Sequence, residues 1–249
     1  MITSTQNPKL KLVKALLAQG KTRHREKRIV LEGRRLILDV MQQGIQPDFI
    51  LHRPDIEIGI ETAPLIPVEP HLFDEISDTQ TPQGMLGVFP MPDLPIPEEA
   101  TLLVALDGLR DPGNLGTIIR TTAAAGVDGL VLLPGTVDAF NPKSIRAGMG
   151  AHYRIPIQTM TWDRFSQGYS QDWHIWQAAT DGRVAYHQAD WRPKTLLMMG
   201  SEAHGLSEKA SQYAANSVYI PMAHRVESLN SSVATAILVF EIQRQRGIY

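Results

Sequence analysis

Apolar and polar positions fall along this chain in short blocks whose period switches between helical and extended spacing. In Asn7–Gln19, Leu10, Val13, Leu16 and Leu17 share one face of a helix while Lys9, Lys11 and Lys14 fall elsewhere, which predicts an amphipathic helix with a basic outer side. Lys21–Arg28 is a charge cluster, and Ile29–Gly33 reads as a short strand and turn. Helical spacing returns in Arg34–Gln43 through Leu36, Ile37, Val40 and Met41. Asp48–Leu51, Pro64–Val68 and Met85–Phe89 are expected strands, with a short helix at Pro70–Ile76. Such alternation makes a small α/β domain.

Pro90–Pro97 carries four prolines in eight residues, a run that cannot enter a helix interior or a central strand. It is the natural linker, so the chain divides into domains 1–92 and 93–249. Beyond it, Thr101–Leu106 is nearly all apolar, as suits a buried parallel strand. Turn residues at Asp111–Asn114 lead to an expected helix at Gly116–Ala125, a strand at Gly129–Leu133, a helix at Asn141–Gly150 and a strand at Arg154–Ile157. Next come a helix at Trp162–Gln167, a strand at His174–Ala178, a helical piece at Val184–Asp190 and a strand at Thr195–Met199. Ser207 and Glu208 provide an N-cap and first turn for a short helix, and the strand Ser217–Ile220 is closed by Pro221. After the polar loop Ala223–Glu227, Leu229, Val233, Ile237 and Phe240 share one helical face, with Arg244 and Arg246 in the last turn and Gly247 beyond. The fold class is α/β, its second half a doubly wound parallel sheet.

Composition narrows the class. The 249 residues suit two domains, and 43% hydrophobic with 20% charged residues excludes a disordered chain. No apolar run reaches the roughly 20 residues needed to span a bilayer, and Met1–Thr5 lacks the basic-then-apolar start of a secretory signal. With no cysteine there is no disulfide framework and no thiolate metal site, which fits a cytoplasmic protein without a metal. The net charge of −2 conceals an uneven distribution: residues 1–35 carry +8, residues 36–100 carry −11 and residues 101–249 carry +1. The basic arm suits either contact with phosphates or a solvated helix face.

Generic cofactor and hydrolase signatures are missing: there is no Gly-x-Gly-x-x-Gly, no phosphate loop, no His-Glu-x-x-His and no Gly-x-Ser-x-Gly. A triad built on Ser201 can be drawn only because eight histidines allow many such drawings. The strand ends at Gly200-Ser201-Glu202 and Ile220-Pro221-Met222 lie where open α/β sheets bind ligands, although spacing alone reads them as ordinary loops.

The motifs change that reading. Gly-x-Glu-x-x-Gly at Gly200–Gly205, Ile-Pro-Met at Ile220–Met222 and Ser-Leu-Asn at Ser228–Asn230 resemble the second and third motifs of the SpoU (TrmH-like) RNA methyltransferases. The segment Asp111–Gly126, with Asn114 and Arg120, resembles the first. Asn7-Pro8, Leu31–Gly33 and Thr81–Gly84 resemble the substrate-binding domain often placed ahead of SpoU catalytic domains, itself similar to a family of RNA-binding ribosomal proteins.

The resemblance implies an S-adenosylmethionine-dependent ribose 2′-O-methyltransferase acting on RNA, ribosomal before transfer RNA. It also implies a homodimer and a C-terminal trefoil knot. Carried residue by residue, it makes Arg120 the activator of the hydroxyl, with Asn114, Ser228 and Asn230 orienting the ribose. Glu202 braces the pocket loop and faces Arg120, while Met199, Gly200, Gly205, Ile220, Met222 and Leu229 surround the cofactor, largely through backbone. A guanidinium is a poor base, so phosphate positioning or alkoxide stabilisation by Arg120 is equally physical. Ser228 also suits helix capping. Asp111 stands where Asn is frequent in the family, and Ser231 where Val is. The rival readings are a non-catalytic RNA-binding or ribosome-assembly factor on the same fold and a hydrolase using Ser201.

Overall fold

The computed structural model describes residues 1–79, 81–169, 172–201, 204–224 and 226–248. The chain forms two compact units, Met1–Pro92 with Phe140–Gly150, and Asp93–Ala139 with Ala151–Tyr249.

In the first unit, Asn7 caps helix α1 (Pro8–Ala18) by accepting Lys9 N–H at 2.9 Å, and Pro8 takes the first helical position, where its missing N–H costs nothing. The charge cluster turns out to be helical as well, α2 (Gly20–Glu26), ended by Lys27 in the left-handed region at φ 52°. Arg23 points inward: it is 4% exposed and its Nη1 donates to the carbonyls of Leu16 (2.6 Å) and Leu17 (3.2 Å), filling acceptors that α1 leaves open at its end. The basic arm is therefore less free than its composition suggests. Lys14 pairs with Glu75 at 2.5 Å, and Arg28 pairs with Asp48.

The elements that follow are β1 (Arg28–Glu32), α3 (Arg34–Gln42), β2 (Phe49–His52), β3 (Leu65–Pro67), α4 (Pro70–Ile76) and β4 (Met85–Pro90). Their sheet runs β1-β4-β2-β3, with β4 antiparallel to both neighbours and β2 parallel to β3. Leu10, Val13 and Leu16 of α1 pack with Val30, Leu51 and Phe73 in its core. A helix from beyond the proline run, α6 (Pro142–Gly148), also belongs to this unit, where Arg146 pairs with Asp78 at 2.9 Å.

The second unit holds β5 (Leu102–Leu106), α5 (Pro112–Ala124), β6 (Gly129–Leu132), β7 (Ile157–Thr159), α7 (Trp162–Tyr169), β8 (His174–Ala178), β9 (Val184–Ala185), β10 (Thr195–Met199), α8 (Glu208–Ser211), β11 (Asn216–Tyr219) and α9 (Ser231–Gln245). The seven strands are all parallel, in the order β7-β6-β5-β10-β8-β11-β9. Every residue of β5, β6 and β10 is buried, as expected of central parallel strands covered on both faces. The strand order turns back between β5 and β10, the kind of switch at which α/β sheets open a crevice.

Four details differ from the sequence expectation. Helix α5 starts at Pro112 rather than Gly116, because Asp111 caps it by accepting Asn114 N–H at 2.8 Å. A short 3₁₀ turn at Ala151–Tyr153 displaces β7 towards Thr159. Val184–Asp190 divides into a two-residue strand and a 3₁₀ turn, Tyr186–Gln188. The buried face of α9 is not the one marked by Val233 and Phe240, which are 47% and 42% exposed. Thr235, Leu238, Val239 and Ile242 face the core instead.

The far end of α9 is firmly held, and that sets its rotation. Gln243 Nε2 donates to the carbonyls of Ala125 (2.8 Å) and Gly126 (3.0 Å). Arg246 donates to the carbonyls of Trp191 (2.8 Å), Pro193 (2.7 Å) and Thr101 (3.2 Å), and half-burial lowers its pKa from the ordinary arginine value. Among the described residues, no helix is long and apolar enough to cross a membrane.

Candidate active site

Three neighbouring strands, β10, β8 and β11, end at one rim, and the segments leaving them enclose a cleft of about 630 Å³. Gly200, Ser201, His204, Gly205 and Leu206 follow β10; Ala179, Thr180 and Asp181 follow β8; Ile220 and Met222 follow β11. Glu227, Ser228 and Leu229, on the approach to α9, complete the wall. All six residues expected around a cofactor line this space, as does Ser228.

Backbone rather than side chains gives the rim its shape. Ser201 and Gly205 exchange both main-chain hydrogen bonds, at 3.0 and 2.9 Å, closing a tight loop. A Cβ built on Gly200 would stand 2.0 Å from the carbonyl carbon of Gly205, so no side chain fits there without moving backbone. The turn after β8 is fitted in the same way: Ala179 N–H donates to Val218 O at 2.9 Å, and a Cβ on Gly182 would lie 2.4 Å from the Val218 carbonyl carbon.

The groups expected to handle the ribose come from two helix starts. Asn230, not Ser228, caps α9: its Oδ1 accepts Ser232 N–H at 2.9 Å and the Ser232 hydroxyl at 2.6 Å. Its Nδ2 donates to Asn114 Oδ1 at 3.1 Å, joining the first turn of α5 to the cap of α9. Ser228 is thereby left as an exposed residue of the cleft wall. Arg120, farther along α5, is exposed and makes no ion pair among the described residues. Glu202, its expected charge partner, lies outside the described residues. No cluster of histidine and carboxylate groups able to hold a metal occurs among the described residues.

Residues 101–240 match the sequence model of the SpoU rRNA Methylase family, 140 of the 249 positions. The chain belongs to the SpoU rRNA methylase family. Residues 7–87 match a second domain, described as the MRM3-like substrate binding domain. The chain is 30% identical to the Bacillus subtilis 23S rRNA (guanosine(2553)-2′-O)-methyltransferase RlmP, over 97% of its own length and 98% of the relative's. It is 31% identical to mouse rRNA methyltransferase 3, mitochondrial, covering 96% of this chain and 73% of that one. An AdoMet-bound rRNA methyltransferase from Sinorhizobium meliloti has the same fold, with a TM-score of 0.82 and 32% identity over 98% and 97% of the two chains.

Seen as a SpoU methylase, the chain has rim residues that motif reading left out. The segment Ala178–Asp181 lines the cleft because β8 ends beside β10, a neighbour relation that chain order hides. The strand-end rule applied to β8 as well as to its neighbours finds it.

Proposed function

We propose that this protein transfers a methyl group from S-adenosylmethionine to a ribose 2′-hydroxyl of ribosomal RNA. The observation that carries this reading is the cleft at the ends of β10, β8 and β11, in which Met199, Gly200, Gly205, Ile220, Met222, Ser228 and Leu229 meet although they are dispersed in sequence. Its volume of about 630 Å³ falls within the usual range for small-ligand sites, about 300–1,000 Å³. The fit is chemical as well: the rim presents main chain to a ligand's polar edge, and Met199, Met222 and Leu229 offer apolar surface to a ring.

When bound, S-adenosylmethionine supplies an electrophilic methyl group on a sulfonium centre. The chain's own task is to place a hydroxyl in line and stabilise its oxygen as the proton leaves. Asn114 and Asn230, linked at 3.1 Å, fix the two helix starts relative to each other. Ser228, exposed on the cleft wall two residues before that cap, we assign to orienting the ribose. Arg120, exposed on α5, suits a group completed by substrate: its guanidinium can grip the RNA phosphate and stabilise a developing alkoxide as the hydroxyl proton passes to solvent.

The first unit is read as the RNA substrate-binding domain, supported by the match of residues 7–87 and by the exposed cations Lys11, Lys21, Lys27 and Arg35. A homodimer joined through α9 is part of the same proposal, supported by the apolar exposure of Val233 and Phe240. Sedimentation of Phe240→Glu at low protein concentration tests it: a stable dimer in that variant would move the interface elsewhere. The trefoil knot is retained on the strength of the motif resemblance. A bulky folded domain fused at the C-terminus should slow refolding severalfold if α9 must be threaded, and unchanged refolding would count against the knot. A cytoplasmic setting, tested by cell fractionation, completes the reading.

The deciding experiment incubates the protein with methyl-labelled S-adenosylmethionine and protein-free ribosomal RNA or transfer RNA, then maps 2′-O-methyl sites. Label in ribosomal RNA is the expected result, and label in transfer RNA alone would redirect the substrate. Cofactor binding with no transfer to either would favour an RNA-binding assembly factor on the same fold.

A further inference from the structure

Both ends of the rim loop after β10 are bonded to one residue that neither motif reading nor the cleft wall includes. Asp107 follows the last residue of β5 and is 4% exposed. Its backbone N–H donates to Met199 O at 2.9 Å, where the loop begins. Its carboxylate Oδ2 accepts Ser207 N–H at 2.7 Å, where the loop ends. This side-chain hydrogen bond ties the end of the loop to the segment that leaves β5.

The support behind Asp107 is rigid. The preceding carbonyl, Leu106 O, accepts Leu133 N–H at 2.9 Å and the Thr136 hydroxyl at 2.9 Å, which fixes the backbone of Asp107 against the exit of β6. On the other side Ser207 is itself engaged, since its Oγ accepts Ala210 N–H at 3.2 Å as the cap of α8. A carboxylate buried to this degree is retained at a desolvation cost unless it meets a strong donor, and here the donor comes from the loop.

We propose that Asp107 is a positioning residue for the donor-binding loop, acting through Ser207 to keep Gly200, Ser201, Gly205 and Leu206 in their binding shape before any ligand arrives. The proposal rests on the methyltransferase reading of the cleft and adds to it a residue that does not line the cleft. Without the carboxylate, the closed turn Ser201–Gly205 survives but loses its distal anchor. The ligand must then order the loop on binding, which opposes affinity.

Calorimetric titration with S-adenosylmethionine tests this in the wild type, Asp107→Ala, Asp107→Asn and Ser207→Ala. Wild-type binding with an affinity loss of about tenfold in Asp107→Ala is expected from the added ordering cost. Asp107→Asn keeps an acceptor oxygen and should remain within about threefold of wild type, since the hydrogen bond is weakened rather than removed. Ser207→Ala keeps the N–H and loses only the helix cap, so it should bind nearly as wild type does. Hydrogen exchange should show the Ser207 amide losing protection in Asp107→Ala while the β5 and β10 amides keep theirs. Asp107→Ala binding within twofold of wild type overturns the proposal. A wild type that binds no S-adenosylmethionine overturns the methyltransferase reading instead. If Asp107→Ala does not fold, Ser207→Pro removes the same hydrogen bond from the donor side, at a residue whose φ of −65° suits a proline ring. Affinity in Ser207→Pro equal to that of Ser207→Ala then overturns the proposal.

Discussion

The proposed donor rim and the proposed reactive side of the cleft are held in contrasting ways. At the rim, shape comes from main-chain pairing between Ser201 and Gly205, from the close approach of Gly200 to Gly205, and from the Ala179 bond to β11. On the proposed reactive side, a side-chain hydrogen bond from Asn230 to Asn114 joins the two helix starts, and Arg120 stands exposed. The difference teaches a division of labour. A small, constant ligand is met by a preformed backbone surface, whereas a large substrate can complete the environment of side chains that wait in solvent.

The largest expected effect comes from the rim. Gly200→Val requires a Cβ where only 2.0 Å separates it from the Gly205 carbonyl carbon, so the loop backbone must shift. Overpacking of this kind costs about 1–3 kcal/mol or more, and the shift falls on the binding surface itself. Calorimetry should detect no S-adenosylmethionine binding at concentrations that saturate the wild type, while circular dichroism stays native. Near-normal affinity would place the donor pocket elsewhere.

On the reactive side the contrast predicts the opposite pattern. Arg120→Ala should leave donor affinity almost unchanged and lower kcat by about 10²–10³, the usual loss for one preorganised donor at a developing oxyanion. Arg120→Lys should restore little, since an ammonium does not reproduce the planar fork. Single-turnover methyl transfer at saturating donor and RNA measures this. A rate within a few-fold of wild type would remove Arg120 from the chemistry.

Acid should act on the whole fold and not on this contrast. His152 is buried, its Nε2 donates to Ala139 O at 2.9 Å, and burial lowers its pKa from 6.5 to about 4. The unfolded chain thus binds the extra proton first as pH falls from 6.5 to about 4. The stability from keeping this ring neutral is complete above 6.5 and is lost across that window, roughly 3 kcal/mol in all. Urea midpoints measured between pH 7 and pH 4 should fall accordingly, and less in His152→Gln. An equal fall in both would assign the acid sensitivity to other groups.

How much of this was legible in the sequence depends on what each feature is made of. Central strands such as Thr195–Met199 are apolar runs of strand length, and periodicity locates them within a residue. The turn after β10 is legible as a motif because its backbone geometry demands glycine at positions 200 and 205. The rotation of α9 was not, since Val233 and Phe240 on one side and Leu238, Val239 and Ile242 on the other are both apolar, and the choice is made by Gln243 and Arg246 at its far end. Asp107 and Arg23 escaped for a related reason. A buried charge looks like a surface charge until its partners, here Ser207 N–H and the Leu16 carbonyl, are known.

The basic arm offers a smaller test, of the first unit's proposed contact with RNA. With Arg23 buried and Lys14 and Arg28 paired, Lys11, Lys21, Lys27 and Arg35 are the exposed cations most available to phosphates. Four contacts to single-stranded RNA give a loss of about 50-fold in affinity between roughly 50 and 200 mM salt. Replacing all four with glutamine should flatten that slope without unfolding a unit whose α1 and β1 are core elements. An unchanged slope would make the arm a solvated face.

The smallest effect separates capping from orientation at Asn230. Asn230→Ala removes both the cap to Ser232 and the bond to Asn114, so it should cost about 1 kcal/mol of stability as well as activity. Asn230→Asp keeps an acceptor for the Ser232 N–H, and a carboxylate suits a helix start, so stability should hold or rise slightly. What Asp cannot do is donate to Asn114 Oδ1, and two oxygens there repel. If the Asn230–Asn114 link aligns the reactive side, Asn230→Asp should be as slow in single-turnover transfer as Asn230→Ala, despite its stable helix, while both bind S-adenosylmethionine within a few-fold of wild type. Equal melting temperatures with a wild-type rate in Asn230→Asp would reduce Asn230 to a helix cap. Its bond to Asn114 would then belong to the packing of the two helix starts and not to the alignment of the ribose.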